Sequence, residues 1–514
     1  MVLSFMDMKM FVILSVVIGV LFLPFVAAPS QTDCSRIQSP GAYIVTQNVG
    51  TGGYCINITT SHVLLDCQGF NITYGGHSVG NGVDFQGGIG NVTIKNCKFF
   101  QNVSLVGADG NKGVALGISG GGTAANITIY NNTFYTQTDL NTIWIRGVNN
   151  TNISWNSFQH KCGVFSQNTS VIDIQDMYDG HIDNNVINNT CQGESAQLIS
   201  YVLSSYKEHN LTLRNNIMNA SANSLTAISL TGLTSGLSVV EGNTLKMAGN
   251  GSTGMSLSGI SNMQFRSNSI YVTHRDASLG VGISYGPGTF SVNNSLFDNN
   301  TISSSGNLAL LPFGASNGAL VIGTNVLNNV FVNNNLSSPQ GILEIFEAST
   351  DSLPNYLIYN NSFGEIAWMN NGTQGFLNNL TLAVNGSLSL GETIIINSNI
   401  AAVNISAFTP VQRINSSANV TLLGLSGDTI SSIVRDGINC LTSSPVSCYQ
   451  ISFSGGSLRF NITGWGSGSL DGFTVTTSSS NSSVPEFEDY AMMFILVIGI
   501  SGFFVMKKKQ EESL

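Results

Sequence analysis

Charge is what this chain has least of. Of its 514 residues, 9% are Asp, Glu, Lys or Arg, while 42% are hydrophobic; Lys+Arg 18 against Asp+Glu 28 leaves a net charge of −10. A nucleic-acid-binding surface needs a concentrated basic face, so nucleic acid is excluded as a partner and a mildly acidic, solvated exterior is expected. The 8 Cys contain no C-x-x-C pair, which removes zinc ribbons and thioredoxin-like motifs. HExxH, EF-hand and P-loop patterns are missing as well. G-x-S-x-G does occur, at residues 117–121, 282–286 and 314–318, but three copies in a Gly- and Ser-rich chain, none opening a helix, say nothing about hydrolase chemistry. The 6 His are scattered, and His160 with Cys162 is the one close soft pair, too few donors for a closed copper or zinc site.

Long apolar runs stand only near the two ends. Lys9 precedes the run Met10 to Val26, and small residues follow at Ala27, Ala28 and Ser30, the pattern of a secretory signal over residues 1–30. An uncleaved anchor is the alternative, because the run is long for a signal core. Near the other end, Tyr490 to Met506 is apolar and is followed by Lys507, Lys508 and Lys509. That is a transmembrane anchor at the short limit of length, with a cytoplasmic tail at 507–514. The expected topology is therefore an exported, cell-surface bulk held by a C-terminal membrane helix.

Between the ends one phrase keeps returning: AANITIYNNTFY (Ala124–Tyr135), GNVTIKNCKF (Gly90–Phe99), HNLTLRNNIM (His209–Met218) and YLIYNNSF (Tyr356–Phe363). Anchored on the second residue of the Asn pair, the copies fall at Gln68, Cys97, Asn132, Asn156, Asn185, Asn216, Asn243, Asn268, Asn300, Asn334 and Asn361. Such spacing indicates a solenoid. Three residues before each anchor stands an apolar residue, from Leu65 and Ile94 to Phe331 and Ile358. Two residues after it stands another, from Phe70 and Phe99 to Leu336 and Phe363. No apolar pattern at helical spacing persists, and β-branched residues, Asn and Gly abound, so the coils are built of strands. The expected fold is all-β: a right-handed parallel β-helix of eleven coils over residues 31–375, about 50 Å long at a strand spacing near 4.8 Å. Asn at each corner is then a structural device, because Asn tolerates left-handed backbone and its amide can bond the turn or the Asn stacked next to it.

One outward column is patterned. Two residues before the anchors stand Asp66, Lys95, Tyr130, Ser154, Asp183, Arg214, Glu241, Arg266, Asp298, Val332 and Tyr359. Asp183–Arg214–Glu241–Arg266–Asp298 alternates in sign through five coils, which predicts a surface ion ladder; a polar stripe that grips a glycan is the functional alternative. Stacking would also bring Cys67 and Cys97 within disulfide reach. Cys440–Cys448 would close a short loop, Cys162–Cys191 would span one coil, and Cys34–Cys55 is the remaining pair. N-x-S/T sequons are frequent, for example at Asn57, Asn71, Asn126, Asn210, Asn404 and Asn461. They fit either glycosylation of an exported surface or chance in an Asn- and Thr-rich chain. Residues 376–475 lose the columns and suggest a small antiparallel β unit, followed by a Ser/Thr-rich linker at 476–489.

The stretch Cys34–Thr73, with PGAY at Pro40–Tyr43 and LDCQG at Leu65–Gly69, resembles the opening of exported right-handed parallel β-helix proteins, many of them archaeal. The resemblance covers about residues 34 to 365. The wider group holds pectate-lyase-like polysaccharide enzymes, carbohydrate-binding surface proteins and NosD-type copper-maturation proteins, so it implies the fold and leaves function open. VPEF at Val484–Phe487 is similar to archaeal PEF-type surface sorting tails, which implies removal of the tail and transfer to a lipid.

Enzymes on this fold cluster carboxylates on one outer face, some around Ca²⁺. The densest acidic stretch here holds Asp173, Asp176, Asp179 and His181, beside Asp183; solvated turns are the structural reading of it. His274-Arg275-Asp276 and Lys207-Glu208-His209 fit solvated insertions in the same way. Two functions follow. The first is a membrane-anchored surface protein for adhesion, envelope structure or glycan binding, with glycans or other surface proteins as partners, no catalysis and no cofactor. The alternative is a surface-tethered polysaccharide lyase or hydrolase, for which Ca²⁺ becomes relevant.

Overall fold

Strand propensity and Asn corners produce a parallel β-solenoid. The computed structural model describes residues 28–479 except 76–79, 86, 103–113, 138–140, 162–169, 191–196, 203–209, 222, 234–235, 250, 274–277, 284–290, 306–317, 323–325, 339–342, 346–354, 370–379, 383–385, 408–416, 443–447 and 466–470. The expected signal segment up to residue 27, the 490–506 run, the 507–514 tail, Cys162, Cys191, Lys207-Glu208-His209 and His274-Arg275-Asp276 lie outside the described residues. Among the described residues the one helical turn is Ile405–Ala407, and no helix is long and apolar enough to cross a membrane.

Each coil contributes strands to rows that run the length of the solenoid. In the first row the register passes Leu65↔Ile94↔Ile129↔Ile153↔Ile182↔Leu213↔Val240↔Phe265↔Phe297↔Phe331, every pairing parallel. The second row carries Ile72↔Phe99↔Phe134↔Phe158↔Ile187↔Met218↔Leu245↔Ile270↔Ile302↔Leu336. A third row stacks Ile56, Val83, Leu116, Ile143, Ile172, Ile199 and Ile228. Side chains alternate along each strand, so Val92–Lys95 buries Val92 and Ile94 and turns Thr93 and Lys95 outward. The inward residues of all three rows are at most 3% exposed. Each contributes about 2–3 kcal/mol by leaving water. Because the strand spacing equals a ring-stacking distance, Phe99, Phe134 and Phe158 stack at 4.9 and 4.7 Å, and Phe265, Phe297 and Phe331 at 4.6 and 4.7 Å.

The two expected duties of the Asn pair are divided between its members. The first member has left-handed backbone: φ is 57° at Asn96, 52° at Asn131, 57° at Asn184 and 53° at Asn215, with Gly242 taking the place at 64°. The second member is buried and forms a ladder. Asn156, Asn185, Asn216, Asn243, Asn268 and Asn300 each donate Nδ2 to the Oδ1 of the next Asn at 2.9–3.0 Å. Each also donates to a main-chain carbonyl of the preceding coil, as Asn216 does to Ile182 O at 2.7 Å. Every amide in the series therefore points the same way along the solenoid.

Two expectations fail at the ends of the columns. Phe70 is partly exposed and Ile72 fills its place, because Gly69 and Phe70 lengthen that corner by two residues. The eleventh copy is not a coil of the expected kind. Tyr356–Asn361 pairs with Val330–Val332 one residue out of the expected phase, so Leu357 is inward, Ile358 is outward, and Tyr359 is buried, donating to Asn334 O at 2.8 Å. Phe363 is left exposed. The chain then reverses into Gly364–Met369, antiparallel to Tyr356–Asn361. Gly364 is required here, since a Cβ would meet Thr421 O at 2.0 Å. The count of coils is thus lower than eleven.

Antiparallel pairing reaches back before 376: Asn335–Ser338 takes Gly386–Leu388 and Leu343–Ile345 takes Leu380–Leu382 as antiparallel partners. Gly364–Met369, Ala418–Leu422, Ser457–Ile462 and Cys448–Ser454 extend the first row, while Asp471–Ser478 joins a second antiparallel sheet and runs past 475 into the expected linker. Trp368, Trp465 and Phe473 pack edge to face or tilted against one another and cover Tyr359. They close the apolar end of the solenoid, as a solenoid terminus requires. The disulfides Cys34–Cys55, Cys67–Cys97 and Cys440–Cys448 are formed.

Candidate functional site

The corner between the first and second rows carries a solvent-open groove of about 460 Å³ near the N-terminal end of the solenoid. Its lining is polar: Gln68, Asn96, Cys97, Lys98, Asn131 and Thr133. Left-handed backbone at Asn96 and Asn131 presents their amides to the groove, and Asn131 Nδ2 donates to Asn96 Oδ1 at 2.8 Å. Asp66 fixes one wall, accepting from Asn96 Nδ2 at 2.9 Å and from the Gln68 amide at 3.0 Å, and pairing with Lys95 Nζ at 3.2 Å. Burial pushes the Asp66 carboxyl up, but these donors outweigh it and leave the pKa below the usual value. Lys98, also in the lining, is exposed and has no ion-pair partner among the described residues.

The next corner residue after Asn131 is Trp155, and here the pattern breaks. Its φ is 60°, a conformation that suits Asn or Gly and costs a bulky side chain about 1 kcal/mol or more. The indole is nevertheless 59% exposed, and Tyr130, on the neighbouring strand, is 42% exposed. An exposed indole on strained backbone contributes less to the fold than an Asn there would, which makes this position a candidate for function.

No protein-family model matches the chain, and no curated protein matches it. Solved structures do. The A-module of the Azotobacter vinelandii mannuronan C-5 epimerase AlgE4 is 13% identical with a TM-score of 0.32, over 65% of this chain and 86% of that one. A mutant tailspike protein of E. coli bacteriophage HK620, in complex with a pentasaccharide, is 11% identical with a TM-score of 0.29, over 87% and 82%. Tailspike protein 3 of bacteriophage CBA120 is 11% identical with a TM-score of 0.23, over 58% and 52%. At such scores these likenesses carry no argument about function.

The outward column pairs in register from Asp66 to Val332, while Tyr359 is buried and Ile358 stands in its place; its ion ladder closes at few rungs. Arg214 Nε meets Glu241 Oε2 at 3.0 Å, and Lys95 meets Asp66. Among the described residues Asp183, Arg266 and Asp298 form no ion pair within 4 Å, because Arg214 turns to Glu241 and leaves Asp183 on its other side. Arg266 Nε is buried without a hydrogen-bond partner. Asp183 is half-buried, and burial holds its carboxyl above the usual value despite His181 and Arg214 nearby. The acidic stretch does not converge. Asp173 lies in the third row, where burial raises its pKa against donors from Asn141, Gln175 and Ser200. Asp176 occupies a left-handed turn at φ 55°. Asp179 and His181 stand in the first row, where Asp179 accepts from Asn210 Nδ2 at 3.1 Å. Among the described residues no group of three or more His, Cys, Asp or Glu is placed to hold a metal ion.

Trp155 and Lys98 were not singled out by the column patterns. The signal for Trp155 was present, since it is the one aromatic residue in a column otherwise of Asn, Gly, Ser and Cys67. Lys98 had none, because nothing in its spacing shows that the corner beside it is hollow.

Proposed function

We propose that the chain is an exported surface protein, held in the membrane through residues 490–506, whose solenoid binds a glycan at the Trp155 corner without turning it over. The observation that carries this reading is Trp155, an exposed indole on left-handed backbone one coil beyond Asn131, which lines a polar groove. A sugar ring has an apolar C–H face and a rim of hydroxyls. Trp155 and Tyr130 supply flat apolar surface for the first, and the amides and hydroxyls of Asn96, Asn131 and Thr133 supply partners for the second. Hydrolysis between sugars uses two carboxyls that flank one bond. Asp183, the half-buried carboxyl nearest this corner, has Ser154 and Arg214 as its neighbours in the column.

The test is a glycan array probed with the full-length chain in detergent micelles, with calorimetry on any ligand found. Trp155→Ala should weaken binding at least tenfold, about 1.4 kcal/mol, within what one aromatic contact supplies. Unchanged affinity in that variant removes the reading. Shortened or unsaturated sugar products that vanish in Asp183→Asn would install the tethered lyase or hydrolase instead.

A further inference from the structure

The groove charge narrows the ligand class, an inference that rests on the glycan reading above. In a chain with a net charge of −10, the groove lining holds one charged side chain, Lys98, while the Lys95–Asp66 ion pair stands behind Asn96. That carboxylate is already committed to three donors: Lys95 Nζ, Asn96 Nδ2 and the Gln68 amide. Its charge is matched by Lys95, which leaves Lys98 as the uncompensated charge facing the groove. Lys98 is exposed and has no ion-pair partner among the described residues.

We infer that the corner groove selects an anionic saccharide, one bearing a carboxylate or sulfate, laid along the solenoid axis from Lys98 toward Trp155. The register sets the geometry. Lys98 pairs with Thr133 and Thr133 with Ser157, two residues beyond Trp155, so the coils that carry the cation and the indole are two strand spacings apart, about 10 Å along the axis. A chain of two or three sugar residues spans that distance, its anionic group on the Lys98 ammonium and a later ring on the indole. Asn131 and Thr133 lie between them to meet hydroxyls. A charge-assisted contact of this kind is stronger than a neutral hydrogen bond and weakens with salt when it is exposed.

Calorimetry on the full-length chain in detergent micelles separates the two levels of the argument. The probes are a hyaluronan tetrasaccharide, a chondroitin sulfate tetrasaccharide and neutral chitotetraose, each at low and high salt. The anionic probes should bind at least tenfold tighter than chitotetraose at low salt. Lys98→Gln, an exposed change whose folding a melting curve verifies, should erase that difference and leave chitotetraose unaltered. Chondroitin sulfate carries the hyaluronan carboxylate plus a sulfate, so equal binding of the two assigns the carboxylate and a further gain for chondroitin sulfate assigns the sulfate. Equal binding of all three probes, or a charge preference that survives Lys98→Gln, overturns the inference while leaving the glycan reading in place. Binding of none of them, combined with an empty array, removes both.

Discussion

Truncation of Asn216 to Ala tests whether the amide ladder holds the coils together. Asn216 is fully buried and makes four side-chain bonds. Its Oδ1 accepts from the Asn185 main-chain amide at 3.0 Å and from Asn185 Nδ2 at 2.9 Å; its Nδ2 donates to Ile182 O at 2.7 Å and to Asn243 Oδ1 at 2.9 Å. After truncation Asn185 Nδ2 keeps Ile153 O, and Asn243 Oδ1 keeps the Asn216 main-chain amide. The Asn185 main-chain amide loses its acceptor inside the core. An orphaned buried N–H costs about 1–3 kcal/mol, and the three other lost bonds about 1 kcal/mol each, so the total is at least about 4 kcal/mol. Asn216→Asp should cost at least as much, because it keeps the acceptor but turns an oxygen toward Ile182 O and Asn243 Oδ1. Solenoid coils interact chiefly with their neighbours, so the loss is local and a single melting temperature would blur it. The measurement is hydrogen exchange followed by mass spectrometry. Peptides within residues 179–220 should lose about a thousandfold in protection, the equivalent of 4 kcal/mol, while peptides within 92–101 change little. A loss below tenfold, or an equal loss in both regions, would refute the ladder as the element that joins coils.

Two further outcomes follow from buried groups. His160 has its Nδ1 at 2.7 Å from Thr136 Oγ1 and 3.1 Å from Thr142 Oγ1, and burial lowers its pKa from 6.5 to about 4. The unfolded chain takes up this proton below pH 6.5 and the folded chain only near pH 4. Stability should therefore fall across that window by up to about 3 kcal/mol, with no further loss below it and none above. The stability difference between the wild type and His160→Gln isolates this contribution from the raised carboxyls of Asp173 and Asp183, which titrate with the opposite sign; a difference independent of pH would refute it. Cys67–Cys97 spans 30 residues of sequence, so its removal in a Cys67→Ser, Cys97→Ser variant should cost about 3 kcal/mol in denaturant unfolding. No change on its removal would show that stacking alone fixes that end.

Stacking explains which parts of this fold are legible without coordinates. Parallel coils place each residue on its counterpart, so a polar side chain at Ile129 or Phe134 would sit between two apolar neighbours. Selection for burial keeps those columns clean and visible. The same logic located Cys67 beside Cys97. It failed where the phrase persists but the stacking partner does not. YNNSF at residues 359–363 has the letters of a coil corner, yet it forms a hairpin, because Gly364–Met369 runs back against Tyr356–Asn361 and no further parallel coil follows among the described residues. The strands that carry the outward column pair in register from Asp66 to Val332, but register does not decide which carboxylate a guanidinium chooses. Arg214 takes Glu241, and Asp183 is left half-buried. The corner groove was hidden for a different reason: it is made by a left-handed turn repeated on successive coils, and the sign of φ leaves no trace in residue spacing.

The uniform direction of the Asn ladder has a consequence for length. Each interior coil offers its neighbours the same donors and the same acceptor, so removing or duplicating one would leave the flanking bonds able to re-form. From the Trp155 coil to the last parallel strand there are seven such steps, about 35 Å at the usual spacing. A gene that gains or loses one repeat between Asn185 and Asn300 would shift the indole by about 5 Å relative to the C-terminal sheets without altering the corner itself. The solenoid therefore doubles as an adjustable ruler, on which reach and recognition can evolve independently.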